Sequence, residues 1–312
     1  SYPSAYGPVP AIRRLYDQNA QAYRDLYQRL HAEVDAPIDR VRRAVTEGTD
    51  GDAVLVRTAD HGDLLGAHGG LHQKWFNLYD EATRIPFVIA RVGAQATTAR
   101  TVTAPTSHVD IVPTLLAAAG IDTEATAAVL AEDFSEVHPL PGRNLMDVVD
   151  GAEADGDRHV YLMTRDNMLE GDSLASGLAR KLGKVDHPPK PLRIQEPAHV
   201  GSNFEAVVSR IDDGRLWKLV RTYDDPATWT EPHVRHLAAS PPTGDQYRTE
   251  PLADQWELYD LDTDPVEARN RADDHAAADV RKVLHERLVA ERERAIPERN
   301  RPWPYERRHP TA

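Results

Sequence analysis

Cysteine is absent from all 312 residues. The chain therefore has no disulfide, no thiolate metal ligand and no cysteine nucleophile of its own. Long apolar runs are missing too: nothing approaches the roughly 18 consecutive apolar residues of a membrane span. No signal peptide is visible, which makes a cytoplasmic location the expectation, although the sequence starts at Ser1 rather than Met. Positive charge is in short supply, with 37 Lys and Arg against 50 Asp and Glu and a formal net charge of −13. That balance argues against general binding to nucleic acid or to an anionic membrane surface. An anionic substrate is still admissible, because a metal ion and a few cations can set the local field. The remaining composition, 40% hydrophobic and 28% charged, is ordinary for a globular protein of one large domain or two smaller ones. There are no internal repeats.

Residues 11–46 read as helix, with Tyr23, Leu26, Leu30 and Val34 at three- and four-residue spacing. Pro37 is expected to interrupt it, with Asp35 capping a second segment that carries Ile38, Val41 and Val45. A strand over 53–58 follows, and another over 85–90. Ser107 to Gly120 predicts a structural helix capped by Asp110 and stopped at Gly120. Glu, Asp, Ala and Pro dominate 121–158, which reads as surface loops at a boundary. Residues 164–204 are irregular and proline-rich. They are expected to cover the surface, with lining of a substrate mouth as the alternative. Asp212-Asp213-Gly214 between two apolar runs predicts a hairpin, Trp256 to Leu261 a strand, and Val266 to Ala295 a closing helix.

The chemistry gathers between residues 53 and 90. The apolar run Ala53 to Thr58 ends in Ala59-Asp60-His61-Gly62, and a loop rich in glycine and histidine carries the chain to Lys74. Ligands of open α/β sheets sit at such strand ends. A carboxylate and an imidazole suit a divalent cation, but along a continuing strand adjacent side chains diverge. Asp60 and His61 converge only if the strand ends and the backbone turns, which Gly62 permits by tolerating positive φ. The competing reading makes Asp60 a cap and His61 a polar loop residue. His68 and His72 have the i, i+4 spacing of a zinc pair, yet Gly69 and Gly70 disfavour a helix there, so they read better as loop hydrogen-bonders. Lys74 precedes Trp75, Phe76, Leu78 and Tyr79, read as the packed face of a short helix. Held there it could neutralise an oxyanion; in isolation it reads as a solvated lysine.

Taken together the motifs resemble the sulfatase family of the alkaline-phosphatase superfamily. The resemblance rests on Thr58-Ala59-Asp60-His61-Gly62, Leu65-Gly66-Ala67-His68-Gly69, Lys74-Trp75, Tyr79-Asp80-Glu81 and Arg84-Ile85-Pro86. It continues through Val109-Asp110-Ile111-Val112-Pro113-Thr114, Gly142-Arg143-Asn144-Leu145, Trp217-Lys218-Leu219-Val220 and Glu257-Leu258-Tyr259-Asp260-Leu261. It implies an α/β fold: part of an alkaline-phosphatase-like α/β sandwich over residues 1–150, and a smaller C-terminal domain of antiparallel sheet plus helix over 151–312. It implies Asp60 and His61 as ligands of one divalent cation, often calcium in the family, with the imidazole pointing to manganese or zinc. Asp60 also matches the candidate base, Lys74 the lysine that contacts sulfate and leaving oxygen, and His68 a substrate-binding position.

One departure is sharp. The family's nucleophile is a formylglycine made within a Cys/Ser-x-Pro-x-Arg motif. Among the nine serines, Ser1 and Ser240 begin that motif but lack its arginine. The first metal-ligand pair, an Asp-Asp, has no counterpart before residue 53. The expectation is the C-terminal part of a sulfatase that hydrolyses small sulfate esters once an N-terminal half supplies the formylglycine, and that is inactive alone. A phosphonate or phosphate ester hydrolase, or a non-catalytic chain that binds a partner, are the alternatives. Expected partners are a chain supplying the missing half or a second copy of itself. No nucleic acid or membrane is expected.

Overall fold

The computed structural model describes residues 10–48, 53–71, 74, 77–93, 96–134, 137–164, 203–229, 231, 233–239 and 246–296. Residues 165–202, most of the segment 164–204 expected to be irregular, and those from 297 lie outside them, as do His72, Trp75 and Phe76.

The best-packed part is a four-stranded antiparallel sheet in the order β3 (His159–Thr164), β4 (Asn203–Arg210), β5 (Leu216–Tyr223) and β8 (Gln255–Asp260). The predicted hairpin is present: β4 and β5 are joined at Gly214, whose φ of 76° is the left-handed geometry that glycine adopts without strain. Side chains alternate between the two faces of such a sheet. On one face Val207, Trp217, Leu219 and Leu258 pack against Leu284 and Leu288 of the closing helix α6 (Ala278–Ala295). On the other face Tyr259 and Leu261 pack against Leu64, Leu71 and Tyr79. The loop that carries the candidate chemistry is thus seated on the sheet's inner surface. Two short strands, β6 (His236–Ala239) and β7 (Gln246–Arg248), pair separately.

Upstream, β1 (Ala53–Thr58) pairs antiparallel with β2 (Phe87–Val92), Thr58 opposite Phe87. The second strand starts two residues later than its apolar run because Pro86 has no N–H to give to a ladder. Preceding them is α1 (Pro10–Gly48), which passes Pro37 unbroken, contrary to the expected interruption. Pro37 and Glu33, whose carbonyl loses its partner, are both exposed, so water can take the missing bond. Asp35 therefore caps nothing and lies 3.8 Å from Arg57 of β1.

Three further expectations are corrected. After the helix α2 (Asp80–Thr83), β2 and the helix α3 (Ile111–Ala118), residues 123–133 form the helix α4 instead of a loop. Asp122 accepts the backbone N–H groups of Glu124 and Ala125, and the alanines that follow are good helix formers. A one-turn helix, α5 (Met146–Val149), comes before β3. Asp110 occupies the N-cap position of α3, but its side chain takes no N–H of that helix. It lies buried in a preceding 3-10 turn, accepting from the N–H groups of Ser107 and Arg143 and from the Arg158 guanidinium. Its neighbourhood is structural, as expected: a Cβ on Gly142 would lie 1.8 Å from the Val109 carbonyl oxygen, and Leu145 N–H donates to Thr114 Oγ1. The closing helix starts at Ala278, not Val266, because Glu267 takes a left-handed φ of 49° and Asp274 ends the loop by capping a 3-10 turn.

Candidate active site

The first strand ends where the sequence placed its chemistry. Asp60 follows β1 in a bend, and the bend turns two adjacent side chains toward each other: His61 Nε2 lies 3.2 Å from Asp60 Oδ2. The His61 backbone N–H donates to Asp60 Oδ1 at 3.0 Å. That hydrogen bond is the main reason the Asp60 carboxyl sits below the usual carboxylate range, with the Lys74 ammonium a smaller contributor. Asp60 is exposed and Lys74, in a turn, is exposed as well.

Gly62 permits the turn differently from the expectation. It does not take a positive φ; it lets two segments approach. A Cβ at this position would lie 1.9 Å from the Glu81 carbonyl oxygen, and Gly62 N–H donates to the Ala82 carbonyl at 2.9 Å. The short helix expected around Lys74 to Tyr79 is also absent at Leu78 and Tyr79. Neither is helical, Tyr79 is extended, and the helical turn begins only at Asp80.

His68 is held from two sides. Its ring stacks on Tyr79 with centroids 3.6 Å apart, and Nε2 meets Glu81 Oε2 at 3.1 Å. Burial works against the Glu81 charge, but the His68 hydrogen bond and charge, a backbone hydrogen bond and the Lys218 ammonium together outweigh it, and the carboxyl sits below its ordinary range. His68 has left-handed φ and ψ of 52° and 42°, so the 67–70 turn is no regular helix; His72, the other member of the expected zinc pair, lies outside the described residues. This matches the reading of His68 as a loop hydrogen-bonder.

The structure adds residues that spacing could not supply. His108 Nε2 lies 3.2 Å from Thr58 Oγ1, which brings a third imidazole to the strand end from 50 residues away. Lys218 and Glu267 reach the loop from the inner face of the sheet. Among the described residues no group of three His, Cys, Asp or Glu side chains could hold a metal ion. Asp60 and His61 are two donors, with the rest of any coordination shell coming from elsewhere.

The two His61 nitrogens test whether a cation fits. Nδ1 faces the Gly62 carbonyl oxygen at 2.7 Å and Nε2 faces the Asp60 carboxylate. A neutral imidazole has one N–H and satisfies only one of two acceptors. The second is matched by an imidazolium, or by a cation lying between Nε2 and Oδ2. With Nδ1–H on a backbone carbonyl, Nε2 is oriented as metal-bound imidazoles are. The donor pair fits.

A family model described as Sulfatase matches residues 2–121. Within its curated relatives the chain is 33% identical over 123 residues to the uncharacterized sulfatase YidJ of Escherichia coli (strain K12), covering 39% of this chain and 21% of that protein. It is 34% identical over 105 residues to the choline-sulfatase of Rhizobium meliloti (strain 1021), covering 33% and 17%. The chain thus spans about a fifth of the length of the curated relatives it matches. Among solved structures it superposes on the phosphonate monoester hydrolase of Agrobacterium radiobacter with a TM-score of 0.53 at 23% identity, over 89% of this chain and 42% of that one. The fold is therefore part of the alkaline-phosphatase-like α/β architecture with antiparallel sheet. The segment matched by the Sulfatase model contains Asp60, His61, His68, Lys74 and His108.

Proposed function

We propose that this chain is part of a divalent-cation-dependent hydrolase of sulfate monoesters, with Asp60 and His61 as two of the metal ligands. The observation that carries the reading is their convergence at 3.2 Å at the tip of β1, inside the segment matched by the Sulfatase model. A bound cation would polarise a sulfate oxygen. A carboxylate plus an imidazole favours manganese or zinc over calcium. Asp60 stays ionised through the His61 N–H, so it can ligate and can accept a proton from a nucleophile. Lys74 supplies positive charge for the sulfate and its leaving oxygen, and His68, braced by Tyr79 and Glu81, shapes the floor beneath. The nucleophile, a formylglycine, comes from polypeptide other than these 312 residues.

The surface supports that last point. Leu26, Leu30, Val34 and Val41 of α1 are 41–58% exposed. Val88 of β2 and Val112 and Leu115 of α3 are exposed too. Among the described residues, β1 and β2 pair only with each other, leaving both outer edges open. Open edges beside apolar faces are places where further polypeptide adds strands and covers helices. The occupant in this reading is the nucleophile-bearing half of the same sulfatase domain. A phosphonate or phosphate monoester substrate is the second reading, favoured by the fold likeness to a phosphonate monoester hydrolase.

The test is turnover of an aryl sulfate and an aryl phosphonate by the complete gene product, with and without manganese. Metal-dependent sulfate release is expected. Preference for the phosphonate selects the second reading, and no turnover of either with metal bound leaves a non-catalytic chain.

A further inference from the structure

We propose that Lys218 is a positioning residue for the candidate site, fixing residues 78–82 and through them the His68 loop and the Asp60-His61-Gly62 turn. The meaning of the site rests on the preceding functional reading; the mechanical linkage does not.

Lys218 lies on β5 with its side chain fully buried, facing the inner surface. Its ammonium group donates to the Leu78 carbonyl at 2.9 Å and to the Asp80 carboxylate. Glu267 Oε1 lies 2.9 Å away, and Glu267 Oε2 accepts the Asp80 backbone N–H at 2.6 Å. One cation and two carboxylates thus grip both ends of a three-residue stretch. Glu267 reaches them from a left-handed backbone, an uncommon conformation for a residue with a Cβ. Burial drives the Glu267 carboxyl up, and the neighbouring Lys218 charge works against that rise.

Tyr79 within the gripped stretch, and Glu81 and Ala82 directly after it, touch the site. Tyr79 stacks on His68, Glu81 bonds it, and the Ala82 carbonyl takes the Gly62 N–H. Gly62 in turn follows Asp60 and His61 directly. A buried ionic cluster is an expensive way to hold two surfaces together, since well-packed apolar groups would serve as well or better. What charges add is register: an ammonium hydrogen-bonded to a carbonyl and one carboxylate and ion-paired with a second carboxylate fits one placement of the stretch. Lysine suits the role because it is a compact point charge with three donors, where arginine is a planar fork.

The experiment is amide hydrogen exchange on the 312-residue chain, with Lys218→Met and with the neutral triple variant Lys218→Met/Asp80→Asn/Glu267→Gln. The triple variant leaves no unpaired buried charge, so it reports if the single variant does not fold. Residues 60–71 and 77–84 are expected to exchange at least tenfold faster in either variant, with β4 and α6 unchanged. Retained protection at 60–71, equal loosening throughout, or loss of folding in both variants overturns the proposal. Exchange requires no turnover, so a failed clamp and a failed hydrolase reading give different results.

Discussion

Glu257 carries a pH dependence whose size can be worked from its surroundings. It lies on β8 with only 9% of its surface exposed, opposite Val220 and two residues from Tyr259. Burial raises its carboxyl from 4.5 to about 7, against a hydrogen bond from the Tyr259 hydroxyl that favours the charged form; the Glu267 charge adds to the rise. The folded chain therefore keeps this proton to near neutrality, whereas the unfolded chain releases it near pH 4.5. Between those values the folded state binds more protons, so stability falls as pH rises. The contribution is full below about pH 4.5 and gone above about pH 7. At about 1.4 kcal/mol per pH unit it amounts to about 3 kcal/mol. Glu257→Gln cannot ionise and keeps an acceptor for Tyr259. Urea unfolding at pH 4.5, 6, 7 and 8 should show the variant matching the parent at the lowest pH and exceeding it by about 3 kcal/mol at the highest. A stability difference that stays constant across the range would refute the reasoning.

Asp110 is 1% exposed and holds Arg158, itself buried, along with two backbone N–H groups. Asp110→Ala strands that cation, and a loss of about 3–5 kcal/mol is expected in urea unfolding; less than about 1 kcal/mol would mean that solvent already reaches the pair. Gly62→Ala forces a methyl group against the Glu81 carbonyl, which should lower stability by about 1–3 kcal/mol. The accompanying sign is faster amide exchange at residues 79–82, and unchanged exchange there would contradict the close approach. Asp122→Ala removes the acceptor for two N–H groups at the start of α4, costing about 1 kcal/mol, with lost protection at Glu124 and Ala125 as the marker.

Local signals in the sequence reached as far as local interactions do. The β4–β5 hairpin was legible because its turn residues and alternating strands are a few positions apart. So was the Asp60-His61 convergence, which needs only the end of a strand. Helix boundaries failed where tertiary context overrode propensity: α1 runs through Pro37 because both partners of the lost bond face water. The start of α6 was misplaced because Glu267 is spent on a long-range contact with Lys218 and Asp80. The reach of Glu267 to Asp80 spans 187 residues, and the grip of Lys218 on Leu78 spans 140. No spacing rule encodes it. His108 was in view as part of a helix start, and only the fold places it against Thr58. Lys218 and Glu257 were visible in family-like motifs, but their burial, which sets their chemistry, was not.

The central claim is that Asp60 and His61 hold a cation used in ester hydrolysis. Its most direct test measures bound manganese and aryl sulfate turnover together in the complete gene product, parent against Asp60→Ala. The account predicts that the variant loses the metal and at least 100-fold in rate, an effect of the size seen when a major electrostatic contributor is removed. A variant that keeps both its metal and its rate would contradict it.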